Sequence, residues 1–155
     1  MNSEPFIAAA SLLEPDTLRD MLVFSLGGYR CALEVRWVHE IRARPQIFPL
    51  IHAAPHVKGL MNFRGEVVPV WDLALRHGWP LQESDGRFPV LLVCGSPVRL
   101  AGCLVDGVDE LVSVADDERL EVTRDHPLAP LSRQAFMAAD GERVYVVDEA
   151  LLMVC

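Results

Sequence analysis

From Met21 onward, turn-forming residues cut the chain into short apolar runs, and that rhythm narrows the available folds more than any other feature. "MLVFSL" ends at Gly27-Gly28, and "YRCALEV" follows. A Gly-Gly pair between two such runs is a hairpin signal, because glycine takes positive φ without a Cβ clash. "WVHEIRA" reads as a further strand. Residues 45–56, "PQIFPLIHAAPH", hold three prolines and predict a long irregular connection, since proline lacks the N–H that a ladder requires. Strands are expected over 57–63 and 66–71. A turn or short helix then runs from Asp72 to His77, with the Asp72 carboxylate accepting a free backbone N–H.

The second half repeats this grammar. "RFPVLLVCG" reads as a strand, Ser96-Pro97 as a turn, and "VRLAGCLV" and "DELVSV" as strands. "QAFMAA", Asp140-Gly141 and "RVYVV" form a last hairpin, and Asp148 caps a terminal helix, "EALLM". Strands this short with turns this frequent predict an all-β barrel or sandwich. A faint repeat supports two related halves, each a small barrel. "CALEVRWVHEI" (31–41) lies over "AGCLVDGVDEL" (101–111), so that Val35, Val38, Glu40 and Ile41 meet Val105, Val108, Glu110 and Leu111. "VWDLAL" (70–75) lies over "VVDEAL" (146–151). Residues 1–20 read as an N-terminal arm, in which Glu14-Pro15-Asp16 opens a short helical turn through Leu18 and Asp20.

Length and charge bound the function. The 155 residues fit one domain, and an apolar share of 51% suits a folded chain. A net charge of -8 argues against nucleic acid or an anionic membrane as partner. Arg30, Arg36, Arg42, Arg44 and Lys58 fall in the first half, while 106–121 is strongly acidic, which predicts two faces for two partners. The four cysteines, Cys31, Cys94, Cys103 and Cys155, lack C-x-x-C spacing and read as buried thiols in a reducing compartment. The N-terminus makes a poor secretory signal, and "FPVLLVCGSPV", the longest uncharged run, is too short to span a bilayer. A cytoplasmic protein without direct membrane insertion is expected.

No motif carries catalysis. His52 and His56 are four apart, but Pro55 breaks the helix that would align them on zinc. His39, His77 and His126 have no Cys or His at ligand spacing. There is no G-x-S-x-G elbow and no Gly-rich phosphate loop. "VDGV" (105–108) lacks the Ser or Thr and the paired second carboxylate of an aspartic protease. No catalytic residue, metal or cofactor is therefore assigned.

One stretch stands apart. "VKGLMNFRGEVVPVWDL" (57–73) places Asn62, Arg64 and Gly65 at a bend between two apolar strands. Asn and Gly tolerate positive φ, and Arg presents a planar fork of donors. Glu40 ends another strand, in "HEIR". If the two strands are neighbours, Glu40 and Arg64 form a pair. Such a pair is either ordinary surface charge or an orienting anchor on the rim of an apolar groove.

Three blocks in order, "MLVFSLGGYRCALEVRWVHEIR", "VKGLMNFRGEVVPVWDL" and "AGCLVDGVDELVSV", strongly resemble the CheW-like domains of bacterial chemotaxis coupling proteins. The most specific part is G-x-x-N-x-R-G-x-x-x-P-V-x-D-L, from Gly59 to Leu73. The resemblance runs from about Met21 to the end, giving a domain over 21–155. It implies two interleaved five-stranded, SH3-like β-barrel subdomains around a shared core. It also implies a noncatalytic adaptor between a chemoreceptor's cytoplasmic tip and the regulatory domain of a CheA-type histidine kinase. Carried over by motif, Glu40 and Arg64 become polar anchors. Gly59 and Gly65 allow close backbone approach, Asn62 at the bend is a further partner-binding candidate, and Val38, Ile41 and Val108 are apolar candidates near the groove. Departures from the family pattern are Cys31 in place of an aromatic residue and the bulk of Trp37, Phe63 and Trp71. The alternative reading is a diverged module that has lost kinase coupling and serves as a structural or inhibitory scaffold.

Overall fold

The computed structural model describes residues 18–43, 46–79, 90–96 and 99–152, and in it the apolar runs become strands. They are β1 (Leu18–Leu26), β2 (Tyr29–Glu34), β3 (Val38–Ala43), β4 (Val57–Phe63), β5 (Glu66–Asp72), β6 (Val90–Ser96), β7 (Arg99–Val105), β8 (Gly107–Ala115), β9 (Leu120–Glu121), β10 (Ser132–Met137) and β11 (Arg143–Val147). Two short helices follow β5 and β11, α1 (Leu73–His77) and α2 (Glu149–Leu152). Both begin where a carboxylate was expected to cap them. Asp72 Oδ1 accepts from the Leu75 N–H at 3.1 Å, and Asp148 Oδ1 from the Ala150 N–H at 2.9 Å.

Two sheets form, in the orders β8-β1-β2-β11-β10-β9 and β3-β6-β7-β5-β4. The expected architecture of two small β units holds, with one addition. The first sheet gains a sixth strand, the two-residue β9, because Leu120 and Glu121 pair with Ala135 and Gln134 of β10. The chain passes from the first sheet to the second after β2, through a 3-10 turn at Val35–Trp37, and returns at Asp106 between β7 and β8. Each sheet therefore contains strands from both halves of the sequence. Trp37, expected within a strand, lies in the crossing turn instead.

The repeat survives at the level of register. Val70 pairs with Gly102 in the parallel β5–β7 ladder, and Val146 pairs with Ala32 in the parallel β11–β2 ladder. These are the residues that the sequence repeat superposes. Likewise Glu40 sits opposite Val93, and its repeat partner Glu110 sits opposite Val23, each beside a β-bulge.

Core packing explains why β1 shows no polar alternation: both of its faces are covered. Met21 and Val23 point into the first sheet's own core with Ala32, Phe136 and Val144. Leu22, Phe24 and Leu26 point the other way, into a core shared with Trp71, Ala101 and Val105 of the second sheet and Leu73 of α1. Met61, Phe63, Val68 and Val70 form the second sheet's interior. The bulky Phe63 and Trp71 are thus core residues, and so is Cys31, which is 0% exposed.

The loops show what the sequence could not. Leu18–Asp20 belong to β1 rather than to a helical turn at the end of an arm; Glu14-Pro15-Asp16 lie outside the described residues, as do Pro97 and Cys155. Residues 46–56 are irregular as expected, but one β-bridge, Phe48 to Leu60, lays this connection against β4. Gly59 makes that contact possible. At φ +143°, a Cβ there would stand 2.1 Å from the Phe48 carbonyl oxygen. Gly59 is buried, and its close approach serves this chain's own connection. Asp106 also has a packing task. Its backbone N–H donates to Ser25 O at 2.8 Å, and its carboxylate accepts from Gly27 and Gly28, tying the first hairpin to the return crossing. Burial holds that carboxyl above its ordinary range.

Gly59→Ala is expected to destabilise the fold by about 3 kcal/mol, through overlap with backbone that cannot yield and an unfavourable φ. Urea unfolding followed by circular dichroism checks this. A second expectation concerns Cys31, whose thiol is pushed up to about 12, first by burial and then by the Asp106 charge. The unfolded thiol ionises near ~8.5, so above that pH the unfolded chain loses a proton that the native chain keeps. Stability is therefore lost as pH rises from about 8.5 towards about 12, by up to about 1.4 kcal/mol per pH unit from this group. The difference in urea unfolding free energy between wild type and Cys31→Ala, followed from pH 8 to pH 10, reads it directly.

Candidate functional site

The β4–β5 hairpin closes in two residues. Phe63 pairs with Glu66, leaving Arg64 and Gly65 as the turn, at φ 52° and 87°. Positive φ at both positions matches the right-handed twist of the flanking strands. Asn62 holds the bend, its Oδ1 accepting from the Gly65 N–H at 2.9 Å. A Cβ on Gly65 would meet nothing within 4 Å, so φ alone calls for glycine there. Among the described residues, no neighbouring backbone approaches Gly65. Arg64 is more telling, because a long side chain gains nothing from a left-handed backbone that Asn or Gly adopts more easily.

β3 and β4 are the two edges of the second sheet, yet their side chains meet because the sheet curls. Arg64 Nη2 lies 3.7 Å from Glu40 Oε1. The expected pair therefore forms, with the Arg64 side chain 69% exposed. A third member was missed: Arg42 contacts the same Glu40 carboxylate through Nε, and its Nη1 lies 3.5 Å from the Asn62 carbonyl oxygen. The signal was present in the sequence, since positions i and i+2 of a strand share a face. Both guanidinium groups lie over the Phe63 ring, Arg64 at 4.9 Å and Arg42 at 5.7 Å from its centroid. Glu40 thus sits between two arginines on an aromatic floor.

The remaining candidates separate. Ile41 is exposed beside Glu40 on β3. Val38 and Val108 hold equivalent places after the two crossings, half-buried against the shared core. Gly59 lies beneath the Phe48 segment, away from the surface.

The first sheet carries a counterpart of opposite sign. Its β10–β11 hairpin presents Asp140, Gly141 at φ 85° and Glu142, where the other presents Arg64, Gly65 and Glu66. Arg30 lies 3.1 Å from Asp140, 3.2 Å from Glu142, 3.5 Å from Glu110 and 3.9 Å from Asp109. Here one cation serves four carboxylates.

Three of the five histidines have local contacts. His39 Nε2 lies 2.8 Å from Gly95 O, His126 Nδ1 accepts from the Leu128 N–H, and His77 stacks on Trp79. Burial, followed by the nearby Arg76 and His56 charges, holds the His77 imidazole below its usual range. Among the described residues, no group of three His, Cys, Asp or Glu side chains is placed to hold a metal ion.

Residues 20–154 match the CheW-like domain family model. A chemotaxis protein CheW of Rhizobium meliloti is 33% identical over 98 residues, covering 63% of this chain and 63% of that protein, less than two thirds of its length. A chemotaxis protein CheW of Klebsiella aerogenes is 28% identical over 113 residues, 72% of this chain and 68% of that one. In fold, the chain resembles the crystal structure of the scaffolding protein TtCheW from Thermoanaerobacter tengcongensis. The TM-score is 0.72 at 21% identity, over 84% of this chain and 88% of that one.

Because only backbone conformation constrains the turn, Gly65→Val is expected to cost about 1–3 kcal/mol while leaving the β signature intact. Gly65→Asn, which tolerates positive φ, is expected to cost less than about 1 kcal/mol. Urea midpoints and circular dichroism spectra of the two variants check this ordering.

Proposed function

Since the chain belongs to the CheW-like family, we propose that it is a noncatalytic adaptor coupling the cytoplasmic tip of a chemoreceptor to the regulatory domain of a CheA-type histidine kinase. The observation that carries this reading is the Glu40–Arg64 pair. It stands on the hairpin with the family's most specific string, at a turn whose backbone gains nothing from arginine. A fold that needed only a tight turn there would do better with Asn-Gly. Arg64 and Glu40 act as orienting anchors, with Asn62 and Gly65 fixing the tip that presents Arg64. Ile41 supplies apolar contact beside them. Val38 and Val108, at the two crossings, mark the edge of a groove between the sheets where a receptor helical hairpin lies.

The retained geometry of this pair favours coupling over the alternative of a scaffold that has lost its kinase. Among the described residues, no helix is long and apolar enough to cross a membrane. Work at a receptor's cytoplasmic tip places the adaptor in the cytoplasm.

Arg64→Ala and Glu40→Ala are expected to lower stability by about 1 kcal/mol or less, since Arg64 is 69% exposed and Glu40, although only 26% exposed, still reaches solvent. Each is expected to weaken kinase or receptor binding by about 2–5 kcal/mol, because docking removes the pair from water. Thermal melts and binding isotherms on the same variants check this. A large drop in melting temperature with unchanged affinity makes the pair structural. Normal receptor control of the kinase by both variants, in reconstituted arrays, refutes the adaptor role given to this tip.

A further inference from the structure

A cleft of about 430 Å³ opens where β10 and β11 meet the Val35–Trp37 turn, away from the Glu40–Arg64 tip. Arg119 forms part of its wall, and its side chain is only 13% exposed. Nη1 donates to Gln134 Oε1 at 2.7 Å. Nη2 stands 3.9 Å from Asp116 Oδ1, beyond hydrogen-bond reach. Nε and Nη2 have neither solvent contact nor a hydrogen-bond partner. Even beside the Asp116 ion pair, leaving charged donors without a hydrogen bond in the interior is costly, and native structures seldom do so without a ligand or water to take them up. Arg133 also lines the cleft, and none of the ion pairs among the described residues involves it.

The carboxylates that border the cleft are largely committed. Glu34 lies between Arg19 at 3.5 Å and Arg36 at 3.2 Å, and Asp148 caps α2. Glu149 is the remaining acidic neighbour. Arg36 itself lies over the Trp37 ring, 4.9 Å from its centroid.

We propose that this cleft binds a small oxyanion, a phosphate- or carboxylate-bearing molecule, through Arg119 and Arg133. The guanidinium of Arg119 releases Gln134 and turns its Nε–Nη2 edge towards the ligand. That turn exchanges one neutral acceptor for a charged one met by two parallel donors, a stronger arrangement. Arg133 supplies the second positive charge from the rim. The site is independent of the adaptor tip, so its test does not depend on kinase or receptor.

The test uses the full chain and arginine Nε–H resonances in proton–nitrogen spectra, titrated with sodium phosphate at fixed pH and ionic strength. Sodium acetate and sodium chloride serve as parallel arms. A saturable shift of the Arg119 Nε–H with phosphate or acetate, and none with chloride, is expected; the stronger of the two names the ligand's anionic group. Arg133→Gln, an exposed change that leaves the fold intact, is expected to weaken the apparent affinity about tenfold. Arg119→Lys, which keeps the charge and loses the fork, is expected to abolish saturation in the remaining cleft resonances. Shifts that grow without saturating, that chloride reproduces, or that Arg133→Gln leaves unchanged overturn the proposal.

Discussion

The shared core between the sheets is the constraint on which everything else depends. Leu22, Phe24 and Leu26 from one sheet and Trp71, Ala101 and Val105 from the other exclude water from one common volume. Neither sheet can bury its inner strands alone, because β1 and β2 each present apolar side chains on both faces. The two crossings reinforce this. β3 leaves the β1–β2 hairpin to edge the second sheet, and β8 leaves the β6–β7 hairpin to edge the first. Separating the sheets would strip each of an edge strand and expose the seam together. Packing and connectivity therefore make one cooperative unit from two repeats.

That unit gives the exposed tip its rigidity. The β4–β5 hairpin stands on Met61, Phe63, Val68 and Val70, a small interior of its own. Phe63 belongs both to that interior and to the floor beneath Arg42 and Arg64. Side chains that stand on a packed aromatic lose less freedom on docking than side chains standing free, which is how a surface ion pair of little worth to folding gains worth in binding.

Much of this was legible in the sequence. Strand boundaries followed from Gly27-Gly28 and Arg64-Gly65 because two-residue turns require positive φ, and only a few residues supply it cheaply; Asp140-Gly141 marked the last hairpin, whose loop is longer. Both helix starts followed from Asp72 and Asp148. The repeat in 31–41 and 101–111 foretold matching registers, since side-chain alternation fixes which residues pair. What the sequence withheld depends on distant contacts. Nothing local marks Gly59 as the spot where the Phe48 carbonyl passes within contact, nor Asp106 as the anchor of the Gly27-Gly28 hairpin. The bridge from β3 to β4 through Arg42 required the curl of the sheet, which no periodicity reports. Leu18–Asp20 were drawn into β1 by pairing with Ser113–Ala115, a tertiary preference that overrode the proline signal before them.

The opposite charges of the two hairpin tips have a geometric consequence. Exchanging the two halves of the chain superposes turn upon turn, Gly65 upon Gly141, yet it replaces Arg64 with Asp140. The two sheets share a strand plan, although the first carries an extra strand and a longer tip loop, whereas by charge the molecule has a head and a tail. A neighbour sensing strand arrangement alone would find two related seats; one sensing charge would find a single seat, and would know which way the molecule points.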